Sequence, residues 1–196
     1  MGRRNMGTPN VVQYYDPNNG VDAPVPISDN DPQKPSYRVV ILNYVPPATP
    51  TDVLVLQGAA GVITRIREIQ LSGAATSATN VVFTLPRRSV ANTGGTSAAQ
   101  TSAKRDPNDG AAATVVSLYS VLPTGLGTFV ANAEGGRLNL APAANGSLDR
   151  FITQYSWMNE KGITLRGASD FLCLNLGGVA WPAGGVLDIL ISFTEE

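Results

Sequence analysis

The chain contains no histidine and a single cysteine, Cys173. Histidine is the commonest general base, the commonest zinc ligand and the usual partner of a nucleophilic serine or cysteine, so its absence argues against all three kinds of site. One cysteine excludes an internal disulfide and leaves no basis for a structural zinc site. Cys173 lies in the apolar run Phe-Leu-Cys-Leu-Asn-Leu, which predicts a packed thiol.

An excess of charge of one sign is also lacking. The 14 basic and 15 acidic residues leave a formal charge of −1, so nucleic acid is not an expected partner. No run of 18 apolar residues occurs, and no apolar stretch follows the basic N-terminus, so neither a membrane span nor a signal peptide is expected. Charged residues make up only 15% of the chain, a composition that suits contact surfaces better than a freely diffusing enzyme.

The first 36 residues differ in composition from the rest. They hold six prolines and five asparagines, and show neither a helical nor a strand period. Because they bury too little apolar surface to offset their ordering entropy, we expect an extended N-terminal arm that becomes ordered against neighbouring subunits. The side chains expected to contact the partner are Val11, Val12, Tyr14, Tyr15, Val25 and Ile27.

Residues 37–196 consist of short β-like runs separated by turn formers. Alternation slips at Arg67–Glu68, which predicts a β-bulge there. Residues Leu187, Ile189, Ile191 and Phe193 form a predicted core-facing row. The ten predicted strands are 37–45, 52–56, 62–71, 80–85, 114–122, 137–140, 151–157, 162–166, 171–176 and 186–194. With no helical stretch beyond about one turn, the pattern predicts an all-β single domain: an antiparallel β-sandwich, jelly roll or small barrel.

Residues 86–113 carry almost no large apolar side chains and are predicted to form a long contact loop. Its basic residues could contact a phosphate, a carboxylate or an acidic partner, but a solvated loop is the favoured interpretation. They are Arg87, Arg88, Lys104 and Arg105. The stretch Asp-Pro-Asn-Asp-Gly at 106–110 lacks the acidic residue that a calcium loop needs beyond its glycine, so it predicts a turn.

Catalysis on a β scaffold would require two carboxylates that converge in a cleft. No spacing in the sequence pairs the candidates Asp149, Glu160, Asp170 and Asp188, so a hydrolase or lyase is the least favoured class of function. Tyr155, Trp157 and Trp181 could form a platform for stacking sugars, although aromatic residues on strands more often pack in the core or at an interface.

Three stretches outside the arm carry a resemblance to a known group of proteins. They are GVITRIREIQLSGAATSATNVVFTLPRRSVANTGGTSAA (61–99), DPNDGAAATVVSLYSVLPTGLGT (106–128) and ITLRGASDFLCLNLGGVAWPAGGVLDILISFTEE (163–196). Together they resemble structural proteins of tailed bacteriophages, some of which decorate or cement the virion. The resemblance implies a β-sandwich that assembles as a cyclic oligomer on the particle, and it carries no catalytic residues.

The residues and the resemblance together favour a non-enzymatic bacteriophage virion protein without a cofactor. We expect a capsid decoration or cement protein, assembled in the host bacterial cytoplasm, whose arm binds the major capsid protein or other virion subunits. A homo-oligomer is expected, with a trimer favoured by local threefold axes of a capsid. The alternative is a host-glycan-binding module of a tail or head fibre, binding through Trp157, Trp181 and the 86–113 loop.

Overall fold

The computed structural model describes residues 12–16, 21–25, 34–142, 150–155 and 162–196. The chain divides into two compact units at Lys34–Pro35. The first unit contains an antiparallel hairpin of β1 (Val12–Asp16) and β2 (Val21–Val25). The composition predicted no strand in this unit, and the hairpin corrects that expectation. The sequence between the strands, Pro-Asn-Asn-Gly, is rich in turn formers and favours such a connection.

The described part of the second unit contains twelve strands and no helix. They are β3 (Ser36–Tyr44), β4 (Asp52–Gln57), β5 (Ile63–Ala74), β6 (Thr79–Arg88), β7 (Thr96–Ala99), β8 (Ala103–Lys104), β9 (Val115–Val121), β10 (Phe129–Leu140), β11 (Arg150–Gln154), β12 (Thr164–Arg166), β13 (Phe171–Asn175) and β14 (Val186–Glu195). All ten strands predicted from the sequence are present among them. Nothing in the described ranges is a helix that could cross a membrane.

These strands form two antiparallel sheets, as the sequence predicts. The first sheet has the order β10-β6-β13-β4-β9-β7, and the second has the order β11-β5-β14-β3-β8, with β12 paired to β5. When β7, β8, β9 and β12 are set aside, the remaining eight strands alternate between two four-stranded sheets in the order of a jelly roll. The insertion between β6 and β10 therefore adds strands to both sheets.

The inner faces of the two sheets form the hydrophobic core. The predicted row on β14 is buried, with all four side chains only 1–2% exposed. It packs among side chains from the facing sheet, including Leu54, Leu56, Phe83, Leu172 and Leu174. Cys173 is buried, which confirms the predicted packed thiol.

Two irregularities in strand pairing determine where side chains point. Ser192 of β14 faces Glu68 and Phe193 faces Ile66, so Arg67 is the extra residue of a bulge, as predicted. Pro86 of β6 faces Asn132, beside a register shift in β10. Such a shift accommodates a residue without an N–H inside a sheet. As a result, β6 continues past Pro86.

Residues 86–113 therefore do not form one projecting loop. The first three complete β6, while Thr96–Ala99 pair at the edge of the first sheet and Ala103–Lys104 pair beside β3 in the second. The segment thus crosses from one sheet to the other. The predicted turn is confirmed, because Asp106 Oδ1 accepts a hydrogen bond from the N–H of Asn108 at 2.9 Å.

Candidate interaction surface

The outer face of the first sheet carries polar residues that are buried. In β6, Val81, Phe83 and Leu85 point into the core, so Arg88 points to the opposite face. A strand residue on an outer face is normally exposed to water, yet Arg88 is only 5% exposed and Asp52 is fully buried. Something must therefore cover this face of the sheet.

The cover consists of two connecting segments, which we name the crossing loops. Residues 89–95 join β6 to β7 and residues 122–128 join β9 to β10, and each connection passes three intervening strands. The loops pair with each other: the N–H of Thr93 donates to the carbonyl of Gly125 at 2.8 Å, and the N–H of Gly125 donates back at 3.1 Å. Ser89 N–H donates to the carbonyl of Thr128 at 3.0 Å. The crossing loops thus form a small additional layer.

Beneath this layer, the carboxylate of Asp52 accepts four side-chain hydrogen bonds. Arg88 binds it bidentately, with Nε 2.7 Å from Oδ2 and Nη2 2.9 Å from Oδ1. Asn92 of the first crossing loop donates to Oδ2 at 2.9 Å, and Asn175 of β13 donates to Oδ1 at 2.7 Å. Both carboxylate oxygens are satisfied, which is the condition for keeping a charge buried.

The same network holds the second crossing loop at Gly127. Arg88 Nη1 donates to the carbonyl of Gly127 at 2.8 Å, and the N–H of Gly127 donates to Asn92 Oδ1 at 2.8 Å. A Cβ atom at position 127 would lie 1.8 Å from the carbonyl oxygen of Val90. Glycine is therefore required for the close approach of the two loops. One ion pair thus connects β4, β6, β13 and both crossing loops.

The electrostatics of the network favour a fixed ion pair. Burial alone would raise the pKa of Asp52, but hydrogen bonds from Arg88, Asn175 and Asn92 outweigh it and hold the pKa below its usual value. The hydrogen bond with Asp52 raises the pKa of Arg88. Burial, with a further contribution from the Asp52 charge, raises the pKa of the Cys173 thiol, which keeps it protonated and unreactive.

Large apolar side chains are exposed on and beside the crossing loops. Val90, Leu126, Phe129 and Val130 are 52%, 45%, 56% and 58% exposed. Val90 and Leu126 lie on either side of the contact at Gly127, and Phe129 pairs with Arg88 at the start of β10. We name these four residues the loop platform. Exposed apolar side chains on and beside a fixed pair of loops are typical of a surface that binds another macromolecule.

The basic residues that were predicted to share a contact loop lie apart. Because β6 extends past Pro86, Arg87 and Arg88 belong to opposite faces of that strand. Arg87 Nη2 lies 2.8 and 2.7 Å from the two oxygens of Asp170, and Arg88 is buried against Asp52. The prediction of a loop position was wrong for both arginines. Lys104 lies in β8 and Arg105 follows it, and both are exposed.

The predicted contact residues of the arm lie in the first unit. Val12, Tyr14 and Tyr15 are in β1 and Val25 is in β2. Val12 pairs with Val25, Tyr14 with Ala23 and Tyr15 with Asp22. Val11 and Ile27 lie outside the described residues. The role of these residues in binding a partner stays a prediction.

Both described aromatic candidates for a sugar platform contact the hydrophobic core. Trp181 packs against the core, and its indole Nε1 donates to the carbonyl of Gly185 at 2.9 Å. Tyr155 is 7% exposed, and its hydroxyl donates to Glu134 Oε1 at 3.2 Å. Trp157 lies outside the described residues. Tyr155 therefore presents no exposed face to a sugar, whereas Trp181 is half-buried.

The carboxylates considered for catalysis have separate structural contacts. Asp170 binds Arg87 and also accepts the N–H of Arg166 at 3.1 Å. Asp188 points outward from β14, as predicted, and accepts the N–H of Asn43 at 2.7 Å. Asp149 and Glu160 lie in the ranges that the structure leaves undescribed. In the parts of the chain that it does describe, no cluster of histidine, cysteine, aspartate and glutamate could hold a metal ion.

No protein-family model, curated protein or solved structure matches this chain. Jelly rolls occur both in viral capsid proteins and in lectins, so the fold by itself allows assembly as well as glycan binding.

Replacing Arg88 by methionine should strongly destabilise the protein. The substitution leaves the Asp52 carboxylate buried without its main partner, which we expect to lower the free energy of unfolding by about 3–5 kcal/mol. Urea unfolding followed by tryptophan fluorescence measures this change. Arg105→Met, at an exposed position, is the matched control and should change the value by less than about 0.5 kcal/mol. Equal effects of the two substitutions would contradict the role assigned to Arg88.

Stability should fall in acid partly because of Asp52. Its pKa is lower in the folded than in the unfolded chain, so its charged form favours folding. This stabilisation is complete above the unfolded value of about 3.9 and is lost as the pH falls through the folded value. In Asp52→Asn, we therefore expect the free energy of unfolding to decline less steeply between about pH 5 and pH 2. Parallel pH profiles for the two proteins, measured by chemical denaturation, would disprove this.

Proposed function

We propose that this protein is a non-enzymatic structural component of a bacteriophage virion, a decoration or cement protein that attaches to the major capsid protein or to neighbouring virion subunits. The observation that carries the proposal is the loop platform: Val90, Leu126, Phe129 and Val130 are exposed on and beside loops that a buried ion pair holds in place. The resemblance of three stretches to phage structural proteins supports the virion as its location.

The rigid support under the platform favours tight attachment. Ordering a flexible loop at an interface costs free energy, and a loop that is already fixed avoids that cost. Burying one Val, Leu or Phe side chain fully contributes about 1.5–3 kcal/mol. Many copies on one particle multiply the effect of each modest contact. The mechanism is therefore adhesion of a preorganised apolar surface.

The contacts of the described acidic groups also support a structural role. Asp52 binds Arg88 bidentately, both oxygens of Asp170 accept from Arg87 Nη2, and Glu68 binds Arg38 at 3.0 Å. Glu195 accepts the backbone N–H groups of Ala113 and Thr114 at 3.1 and 2.7 Å. These carboxylates stabilise the sandwich and do not converge in a cleft. The packed positions of the described aromatic candidates likewise give no support to the glycan-binding alternative.

The N-terminal arm provides a second attachment in this proposal. Its apolar residues, among them Tyr14 and Tyr15, would dock in grooves or pair with a sheet edge of a neighbouring virion subunit. Attachment through both the arm and the loop platform would make dissociation slow, because both must detach together.

A particle-binding experiment tests the proposal with three altered proteins. Particles assembled without this protein are incubated with the wild type, Phe129→Ser, Val179→Ser or a chain that begins at Pro35, and occupancy is measured by co-sedimentation. Phe129→Ser should weaken binding by about 30-fold, the effect of losing a hot spot of about 2 kcal/mol. Val179, which is 59% exposed in a different loop, is the matched control and should leave binding unchanged.

Two results would refute parts of this account. If Phe129→Ser unfolds like the wild type and still reaches wild-type occupancy, the loop platform does not take part in the attachment. Wild-type occupancy by the chain that begins at Pro35 would show that the arm is not an anchor. Saturable binding of glycans with no binding to particles would instead favour the fibre-module alternative.

A further inference from the structure

The outer face of the second sheet carries a patch that no described segment of the second unit covers. Strand pairing places Val40, Leu190, Gln70 and Ile152 side by side in one row across β3, β14, β5 and β11. Val40 and Ile152, at the two ends of this row, are 51% and 38% exposed. Leu42, two residues beyond Val40 on the same face of β3, is 65% exposed. The centre of the face is thus largely apolar.

Polar residues border this row on one side. The same register places Arg38, Ser192, Glu68 and Gln154 side by side. Glu68 accepts hydrogen bonds from Arg38 Nη2 and from Gln154 Nε2, both at 3.0 Å, and Arg38 Nε donates to Ser192 Oγ at 3.1 Å. The charges of this border are therefore paired within the sheet.

The other border carries two opposite charges. Asp188, Ser72 and Arg150 lie side by side on β14, β5 and β11, with Leu42 next to Asp188 on β3. Between this border and the apolar row the surface is slightly concave, lined by Val40, Leu42 and Leu190 together with the polar residues. An apolar centre with a polar rim is the usual anatomy of a protein–protein interface.

We propose that this face is the contact between two copies of the chain, related by a twofold axis that runs parallel to the strands between β14 and β5. Such an axis places β3 of one copy over β11 of the other, and β14 over β5. The two sheets then pack face to face, at the spacing of about 10 Å that is usual for stacked sheets.

The apolar and charged positions of this face complement each other across the axis, which argues for a second copy as the occupant. In this arrangement Val40 lies opposite Ile152 of the second copy, and Leu42 lies opposite the aliphatic part of Arg150 of the second copy. Asp188 lies opposite Ser72 of the second copy, and Arg150 of the second copy is one strand spacing away from that Ser72. The twofold symmetry repeats each contact. Arg38 lies opposite a glutamine and Glu68 opposite a serine, so no two like charges meet. A patch that complements itself in this way suits an isologous dimer.

The size of the face fits a modest dimer. Three of the four strands have nine or more residues and are about 30 Å long, whereas β11 has five residues and is about 17 Å long. With strands about 4.8 Å apart, the face measures roughly 500 Å² on each copy. That is at the lower end for a specific interface. We therefore expect a dimer that dissociates on dilution to micromolar concentrations.

This inference goes beyond the proposed function and does not depend on it. It leaves the loop platform on the other sheet free to bind a separate partner. It also favours a dimer in solution over the trimer expected from the sequence, because the self-complementary face generates twofold symmetry.

Cross-linking of two single-cysteine variants tests the arrangement directly. Full-length Val40→Cys and Ile152→Cys proteins are mixed and treated with a short bis-maleimide, while Cys173 is buried and does not react. We expect a covalent dimer that contains one chain of each variant, because the two positions face each other across the axis. Each variant alone should link much less. Val179→Cys mixed with Ile152→Cys is the matched control and should not link.

A charge exchange provides a second measurement that does not depend on cross-linking. Arg150→Glu and Asp188→Lys should each raise the dissociation constant of the dimer about tenfold, and the double substitution should largely restore it. Analytical ultracentrifugation gives the mass and the dissociation constant, and thermal unfolding shows that each variant is folded. A monomer or trimer at high concentration, no selective cross-link, or additive effects of the two charge changes would each overturn the proposal.

Discussion

The bidentate ion pair between Asp52 and Arg88 is the interaction on which the candidate interaction surface depends. Burying two charges costs free energy that the pair alone does not fully recover, so a pair of this kind is weak evidence for stability as such. Here Asp52 also accepts a hydrogen bond from Asn92, and Arg88 donates one to the carbonyl of Gly127. Asn92 in turn accepts the N–H of Gly127. The consequence of the ion pair is positional: the crossing loops have one arrangement, and the apolar side chains they carry are presented in one orientation.

The two outer faces of the sandwich are consequently different surfaces. An insertion between β6 and β10 covers the first sheet with the crossing loops, while no described segment of the second unit covers the second sheet. One face therefore presents apolar side chains from loops, and the other presents a strand surface of apolar and polar side chains. In the proposed arrangement the first surface attaches to the shell and the second to another copy, and the jelly roll places the two on opposite sides of one core.

The sequence predicted the fold well in strands that bury one face, because burial of one face makes apolar and polar residues alternate along the strand. Every strand with one face in the core was found, as was the bulge at Arg67–Glu68, because a slipped alternation is visible in the residues themselves. Strands β1, β2, β7 and β8 were missed. In β7 and β8 all side chains are exposed, so no alternation results. The interaction surface was missed for a different reason. Pro86 was taken to end β6, and the partners that bury Arg88 come from distant segments, so no local pattern reveals the pair. The one available signal was the alternation along β6, which places Arg88 on the same outer face as Val82 and Thr84.

Amide hydrogen exchange at Gly127 measures most directly whether the network fixes the crossing loops. Its N–H donates to Asn92 Oδ1, and Asn92 is in turn bound to Asp52. We predict that this amide, in a loop between two strands, exchanges as slowly as amides in the central strand β13, and that the Thr93 and Gly125 amides are protected with it. Exchange at the rate of an unstructured peptide, while β13 remains protected, would contradict the account.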